Sequence, residues 1–155
     1  MLLKNARFLI TQNSDRDILE NKDVLIEDSK IKKIGENLTE KEEVVDCSDK
    51  VVMPGLINTH THSPMTLLRG IADDLSLNNW LKKLRPIEAK MDKKDIYVGA
   101  LLGCLEMIKN GITCFSDMYF HMEEVAKAAK EIGIRSNLGY GMVTIDKDKE
   151  GIKQE

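Results

Sequence analysis

Residues 54 to 62 read Pro54-Gly55-Leu56-Ile57-Asn58-Thr59-His60-Thr61-His62 and contain two of the three histidines in the chain. An apolar run that ends in His-x-His is typical of a β-strand that delivers two imidazoles to one place. Because side chains alternate across a strand, we expect His60 and His62 on the same side. Two neutral imidazoles that converge are half of a metal site. The alternative is a pair of surface histidines at the end of a strand.

The residues before this segment predict a β-rich unit. Short strands joined by charged turns are predicted at Leu2-Leu3 with Phe8–Ile10, at Asp23–Glu27, at Ile31–Gly35, at Val44–Asp46 and at Val51–Met53. We interpret residues 1–52 as a small meander-like β-module, in which no element carries a chemical motif.

The residues from Met53 onward alternate between strands and helices. Helices are predicted to begin at Ser63-Pro64, near Ser76, at Asp92 and at Met122, and Pro86 is expected to interrupt the second of them. The helix after Asp92 is predicted to be strongly amphipathic, with a buried side of Ile96, Gly99, Ala100, Cys104, Met107 and Ile108. Strands are predicted at Ile112–Asp117 and Ile134–Gly141.

Alternating strands and helices with short links indicate parallel βα units, so the predicted fold class is α/β. Sites in such folds lie where the strands end, and polar residues do follow the predicted strands in this chain. Three strands cannot close a (β/α)8 barrel, which needs about 250 residues. The chain is therefore either a barrel cut short or a small open sheet. The charged residues 146–155 favour the first interpretation.

Composition narrows the class of protein. The 155 residues are 42% hydrophobic and 32% charged, with a net charge of -3, which is typical of a soluble globular protein. The slightly acidic net charge gives no sign of the basic face that nucleic-acid binding would need. No apolar run approaches the roughly 18 residues of a membrane span. The N-terminus reaches charge too early for a signal peptide. The three cysteines have no C-x-x-C spacing and are predicted to be reduced, buried thiols, so we expect a cytoplasmic protein.

Several motifs together resemble the amidohydrolase superfamily. They are Val52–His62, Ser63–Gly70, Asp73–Leu77, Trp80-Leu81, Pro86-Ile87-Glu88 and Asp117–His121. The branch that they resemble is that of the 5-methylthioadenosine/S-adenosylhomocysteine deaminases, which is related to the triazine chlorohydrolases and guanine deaminases. The resemblance covers the whole chain. It implies an N-terminal β-sandwich segment at 1–52, followed at 53–155 by the first three βα units of a metal-dependent hydrolase TIM barrel that is incomplete in these residues.

The resemblance also implies roles for individual residues. His60 and His62 would be ligands of one Zn²⁺, or Fe²⁺, per subunit. Glu88 would accept hydrogen bonds from the ribose hydroxyls of an adenosine-type nucleoside, or it is simply a solvated charge at a helix end. Trp80 would form a wall of the pocket, or it is a half-buried core residue. Tyr140 stands where relatives that deaminate S-adenosylhomocysteine can place an arginine, which makes a neutral 5′-substituent more plausible.

Two further polar residues have two interpretations each. Asp117 could orient a group in the site or cap the following helix, and His121 could line the pocket or lie in a plain loop. Arg69 is expected to pair with a neighbouring carboxylate.

The implied reaction is hydrolytic deamination to the inosine analogue and ammonia. The other metal ligands and the general acid/base of the family have no counterpart in these residues, so the 155-residue chain alone is expected to be inactive and to bind metal weakly. The alternatives are a guanine or cytosine deaminase, a triazine hydrolase, or an inactive truncated relative. The expected partner is a small nucleoside, with neither nucleic acid nor membrane, and exposed apolar faces would favour a homo-oligomer.

Overall fold

The computed structural model of the protein describes residues 1–39 and 43–141. The chain divides into two compact units, Met1–Pro54 and Gly55–Glu155. The first contains the strands β1 (Leu2–Ile10), β2 (Ile18–Glu27), β3 (Lys30–Gly35), β4 (Val44–Asp46) and β5 (Val51–Val52). The second contains β6 (Leu56–Thr61), a 3₁₀ helix (Ser63–Leu68), α1 (Leu77–Glu88), α2 (Lys93–Lys109), β7 (Ile112–Tyr119), α3 (Met122–Ile132) and β8 (Arg135–Tyr140).

The first unit is built on one sheet. Strands β1, β2 and β3 pair antiparallel in sequence order, as a meander, while β4 and β5 return to pair parallel with β1. Ala6, Leu9, Val24 and Cys47 form its buried core. The predicted meander-like module is therefore confirmed within these residues.

A buried carboxylate fixes an irregularity in this sheet. Asp23 is 1% exposed and accepts hydrogen bonds from the backbone N–H groups of Asn5 (2.7 Å) and Leu38 (2.8 Å) and from Lys4 Nζ (3.0 Å). Asn5 has a φ of 55°, and the β1–β2 register shifts at this point. The carboxylate thus satisfies the N–H of Asn5, at the local break in the ladder, and the N–H of Leu38, which follows β3.

The second unit confirms the predicted alternation of strands and helices. Its three strands are parallel in the order β6-β7-β8. Its core lies between helices α2 and α3 and the sheet, and consists of Ile96, Ala100, Cys104, Met107, Phe115, Tyr119, Met122, Val125, Ala128, Ala129 and Ile134. Because the strands are parallel, all three end at the same edge of the sheet.

The cysteines behave as small buried side chains. Cys47 and Cys104 are buried, Cys114 is half-buried, and all three are free thiols. Burial raises the pKa of Cys104 to about 11, so this thiol stays protonated.

None of the helices within residues 1–39 and 43–141 combines the length and the apolar composition that a membrane span requires.

The prediction that Pro86 interrupts a helix is wrong. Pro86 lies inside α1, which continues to Glu88. A proline removes one helical hydrogen bond and clashes with the carbonyl of the preceding turn, but this one lies in the last turn, where little helix remains to be disrupted. The N–H of Ala89 donates to the carbonyl of Arg85 at 2.9 Å and closes that turn.

The prediction of a strongly amphipathic α2 is also wrong in part. Ile108 is 39% exposed, and Val98, Leu102 and Leu105 share the outward side of the helix with it. The rest of the predicted buried side is confirmed, and together with Gly103 it consists largely of small residues, among them Gly99, Ala100 and Cys104. Small residues are needed there because the 3₁₀ helix packs very close to α2.

The close approach occurs at Gly99. A Cβ atom at this position would lie 2.3 Å from the carbonyl oxygen of Pro64, and one at Gly103 would lie 3.2 Å from Ser63 Cβ. The hydroxyl of Thr66 donates to the Gly99 carbonyl at 2.7 Å. The chain that follows His62 therefore rests directly on the backbone of α2.

We predict that Gly99→Ala destabilises the protein by about 1–3 kcal/mol, because the new methyl group must displace backbone atoms of Pro64. The intrinsic helix preference of alanine over glycine acts in the opposite direction, by about 1 kcal/mol, and does not compensate for the clash. The measurement is urea unfolding followed by helical circular dichroism. Val98→Ala, at the neighbouring exposed position, is the control and is expected to change stability by at most about 0.5 kcal/mol. Equal effects of the two substitutions would contradict the packing argument.

Candidate metal and substrate site

The two histidines lie together at the end of β6. His60 is in the strand, and His62 is the first residue after it. Their ring centroids are 5.1 Å apart and the rings are nearly perpendicular, at 76°. His60 is exposed and His62 is half-buried. The prediction that strand alternation brings the two rings to one side is confirmed.

The ring of His62 is held in one tautomer. Its Nδ1 lies 2.7 Å from the carbonyl oxygen of Met118, at the end of the neighbouring strand β7. A carbonyl can only accept a hydrogen bond, so Nδ1 carries a proton, and in the neutral imidazole Nε2 is the nitrogen with the free lone pair. Metal-binding histidines in proteins commonly donate their second nitrogen in this way. The contact with Met118 is therefore of the kind that a metal-binding histidine makes.

Asp117 holds the backbone next to His62. The side chain is buried, and its Oδ2 accepts hydrogen bonds from the N–H of Ser63 at 3.1 Å and from the Ser63 hydroxyl. Strand β7 continues two residues beyond Asp117. Helix α3 begins only after His121, whose side chain makes no capping hydrogen bond. Of the two predicted roles for Asp117, capping α3 is thus wrong.

Tyr119 connects Glu88 to this part of the molecule. Its hydroxyl donates a hydrogen bond to Glu88 Oε1, and its ring centroid lies 6.3 Å from that of His62. Burial, together with the hydrogen bond to Glu88, raises the pKa of Tyr119, so the hydroxyl stays protonated and continues to donate. Glu88, at the end of α1, is therefore linked through Tyr119 to the strand β7 that lies next to the histidine-bearing strand β6.

Sequence reasoning did not identify this role of Tyr119. Phe115, Asp117 and Tyr119 alternate on the buried face of β7, and a tyrosine on such a face usually needs a partner for its hydroxyl. That signal was available in the sequence. The identity of the partner was not, because Glu88 is 31 residues away.

Tyr140 lies in a cluster of charged side chains. Its hydroxyl donates to Glu123, whose carboxylate also pairs with Lys93 Nζ at 3.0 Å and lies 3.8 Å from His121 Nδ1. The hydrogen bond from Tyr140, followed by a backbone hydrogen bond and that from Lys93, lowers the pKa of Glu123 to about 2. The phenol of Tyr140 is therefore already engaged by an anionic carboxylate.

Trp80 and Arg69 have simpler surroundings. Trp80 is half-buried near the start of α1, a position that agrees equally with a pocket wall and with a core residue. Arg69 forms a two-pronged ion pair with Glu106, at 3.0 and 2.7 Å. The prediction that Arg69 pairs with a neighbouring carboxylate is confirmed.

Within the described residues, the histidine pair offers two candidate ligands for a metal ion and not a complete set. Among residues 1–39 and 43–141, no three histidine, cysteine, aspartate or glutamate side chains converge in a way that could hold a metal. Imidazole is a ligand that zinc accepts readily, and the fixed tautomer of His62 fits such a role. Catalytic zinc sites normally have three protein ligands, so this pair needs at least one more.

We predict that Glu123 stays almost fully ionised at pH 4.5, the ordinary pKa of a glutamate, because its folded pKa is near 2. The contribution of the ionised Glu123 to the stability of the fold is therefore fully present above pH 4.5, and it is lost as the pH falls toward 2. Tyr140→Phe should raise this pKa, as measured by the carboxyl ¹³C shift during an acid titration. Tyr97→Phe, which removes the similar contact with Glu131, is the control and should leave Glu123 unchanged. An ordinary pKa for Glu123 in the unsubstituted chain would contradict the assignment.

Comparison with known proteins identifies relatives along the whole chain. The model of the Amidohydrolase family matches residues 51–155. The chain is 49% identical over 153 residues to a 5′-deoxyadenosine deaminase of Methanosarcina acetivorans, covering 97% of this chain and 35% of that protein. It is 57% identical over 134 residues to a 5-methylthioadenosine/S-adenosylhomocysteine deaminase of Thermococcus sibiricus, covering 84% of this chain and 32% of that protein. The chain thus spans about a third of the length of these relatives.

Solved structures share the fold. A triazine hydrolase from Arthrobacter aurescens aligns with a TM-score of 0.87 at 25% identity, covering 93% of this chain and 36% of that one. An adenosine deaminase from Xanthomonas campestris with bound zinc aligns with a TM-score of 0.73 at 30% identity, covering 87% of this chain and 32% of that one. The resemblance stated from the sequence is confirmed, as is the mixed α/β fold. The chain belongs to the amidohydrolase family.

Proposed function

We propose that this chain contributes part of the active site of a metal-dependent enzyme that deaminates adenosine-type nucleosides. The observation that carries the proposal is the histidine pair, in which the Nδ1–H of His62 is donated to Met118 and His60 lies 5.1 Å away. The names of the relatives at 49% and 57% identity support the same reaction. Water replaces the 6-amino group, so that a C–O bond forms at C6, the C–N bond breaks and ammonia leaves.

His60 and His62 are the proposed ligands of one Zn²⁺, or Fe²⁺, per subunit. A bound metal ion of this kind lowers the pKa of a water molecule so that it can act as a nucleophile at neutral pH. The Met118 carbonyl orients the imidazole of His62, so that Nε2 of the neutral ring is left for the metal ion. The remaining ligands and the general acid/base are proposed to come from outside the described residues.

Glu88 is the proposed anchor for the ribose. An ionised carboxylate has about four lone-pair sites, so Glu88 can accept from Tyr119 and still bind the two hydroxyl donors of a ribose. Tyr119 holds one oxygen and so limits the rotation of the carboxylate. Trp80 is proposed to lie against the purine, where an aromatic face can stack on the base.

The group on the 5′-carbon is proposed to be neutral, as in 5-methylthioadenosine, 5′-deoxyadenosine or adenosine. Tyr140 supplies no fixed positive charge, and its phenol is bound to Glu123. The nearest cation of this cluster, Lys93, is already paired with the same carboxylate. An amino-acid carboxylate such as that of S-adenosylhomocysteine would meet an anion at this position, which disfavours its binding.

Residues 1–52 are proposed to be an N-terminal β-sandwich segment, and residues 53–155 the first three βα units of a (β/α)8 TIM barrel. Eight parallel strands close such a barrel, and β6, β7 and β8 would be the first three. The exposed apolar side of α2 supports association with further polypeptide, either the rest of a barrel or a second copy in a homo-oligomer. We also propose that the protein is cytoplasmic and that its substrate is a small molecule.

A second candidate is hydrolysis of a ring without a sugar, by analogy with the triazine hydrolase of similar fold. A triazine or a free base such as guanine presents no ribose hydroxyls. Glu88, which Tyr119 of the neighbouring strand binds, is available for a ribose and therefore favours a nucleoside. An inactive relative that kept the histidines by descent is the remaining alternative.

We predict that the 155-residue chain binds Co²⁺ or Zn²⁺ weakly and that His60→Asn or His62→Asn lowers the affinity by about tenfold or more, because two ligands become one. Titration with paramagnetic Co²⁺, followed by broadening of the imidazole NMR signals, measures this affinity. His121→Asn, which replaces the third histidine of the chain, is the control and should leave the affinity within about twofold. A metal affinity that depends on His121 but not on the pair would refute the assignment.

The proposed reaction is tested by ammonia release from a panel of nucleosides and free bases. We predict that an intact enzyme containing these residues has a higher kcat/KM for 5′-deoxyadenosine than for S-adenosylhomocysteine, and that the 155-residue chain alone releases no ammonia. A clear preference for S-adenosylhomocysteine would overturn the assignment of a neutral 5′-group. Faster reaction with guanine or a triazine would overturn the nucleoside assignment, and activity of the isolated chain would overturn the barrel interpretation.

A further inference from the structure

Asp117 is a buried carboxylate whose hydrogen bonding is incomplete. It is 3% exposed, and within the described part of the chain its Oδ1 has no hydrogen-bond partner. Its other oxygen, Oδ2, accepts only from the backbone N–H and the hydroxyl of Ser63. Burying a carboxylate costs free energy that such partial pairing does not fully recover. Stability alone would favour an apolar side chain of similar size, so the residue needs another explanation.

The neighbours of Asp117 indicate what the carboxylate controls. Ser63 directly follows His62, and Thr61, directly before it, is the register partner of Asp117 in the parallel β6–β7 pair. His62 itself has left the strand conformation, with φ of −129° and ψ of 71°. The carboxylate therefore fixes Ser63, the residue after His62, while pairing in the sheet fixes Thr61, the residue before it.

The residue after Asp117 holds the ring of the same histidine. Met118 accepts the Nδ1–H of His62 at 2.7 Å. Two consecutive residues of β7 thus control His62, one through the backbone that follows it and one through its imidazole. If Ser63 were released, the turn at His62 would relax, and the ring could leave the Met118 carbonyl.

We propose that Asp117 is a positioning residue for His62. Through Ser63 it keeps the imidazole within reach of the Met118 carbonyl, and this selects the Nδ1–H tautomer of the neutral ring, in which Nε2 is available to a metal ion. The part that concerns the metal rests on the proposed function, whereas the part that concerns the hydrogen bond of His62 does not. A purely structural Asp117 would affect stability and leave the tautomer of His62 unchanged.

The first test is the tautomer of His62 in the ¹⁵N-labelled 155-residue chain without metal. Long-range ¹H–¹⁵N spectra, recorded above the pH range in which histidine titrates, distinguish a protonated Nδ1 from a protonated Nε2. The unsubstituted chain should show the Nδ1–H form. Asp117→Ala should give a mixture of the two tautomers, as found in free histidine. Asp117→Asn should restore most of the Nδ1–H form, because the amide oxygen can still accept from Ser63.

The second test is the affinity for Co²⁺ in the same variants. Loss of a group that orients a metal-binding histidine commonly lowers metal affinity by about 10–100-fold. We therefore expect a loss of about tenfold for Asp117→Ala and a smaller one for Asp117→Asn. If Asp117→Ala does not fold, Asp117→Leu provides the same comparison, because it removes both acceptor oxygens and fills the buried position with an apolar side chain of similar size.

Asp23→Asn is the matched control, because Asp23 is also a buried carboxylate that accepts backbone hydrogen bonds, but it lies in the first unit. It should lower stability and leave both the tautomer and the Co²⁺ affinity unchanged. The proposal is overturned if Asp117→Ala, or Asp117→Leu in its place, retains the Nδ1–H form of His62. Failure of the unsubstituted chain to bind Co²⁺ would instead count against the metal site of the proposed function, and the tautomer measurement would still decide the role of Asp117.

Discussion

The contact between the 3₁₀ helix and α2 is the constraint on which the site depends. At Gly99 the two backbones meet so closely that no side chain fits between them. This contact fixes the chain that leaves β6, and the Asp117 carboxylate fixes the same chain from β7. The end of β6, with its two histidines, is therefore held between a helix and a neighbouring strand.

Elsewhere in the second unit, several side chains are not the ones that would make the fold most stable. Because the inner side of α2 must be small, bulky apolar residues such as Leu102 and Leu105 lie on its outer side, where they are exposed in this chain. Asp117 places a charge in a buried position, and Tyr119 buries a hydroxyl that must find Glu88. Such departures from the most stable choice are expected where side chains are arranged for chemistry.

Much of the fold could be predicted because its signals are local. The helix after Asp92 begins with a capping box. The carboxylate of Asp92 accepts from the backbone N–H of Asp95, and the carboxylate of Asp95 accepts from the backbone N–H of Asp92. Gly133 ends α3 in the left-handed conformation, with φ of 80°. The predictions for Pro86 and Ile108 were wrong because both depend on surroundings. A proline is tolerated near a helix end, and the burial of an isoleucine depends on which neighbour covers it.

The candidate site, like the fold, could be predicted from the sequence only in part. The amino-acid order was sufficient to place His60 and His62 together, because strand alternation relates residues only two positions apart. It was not sufficient to show that Met118, Asp117 and Tyr119 organise the site. Their partners lie 56, 54 and 31 residues away, and only the parallel pairing of β6 with β7 and the folding back of α1 bring them into contact. Periodicity and capping act over a few residues, whereas hydrogen bonds between side chains of different elements exist only once the chain has packed.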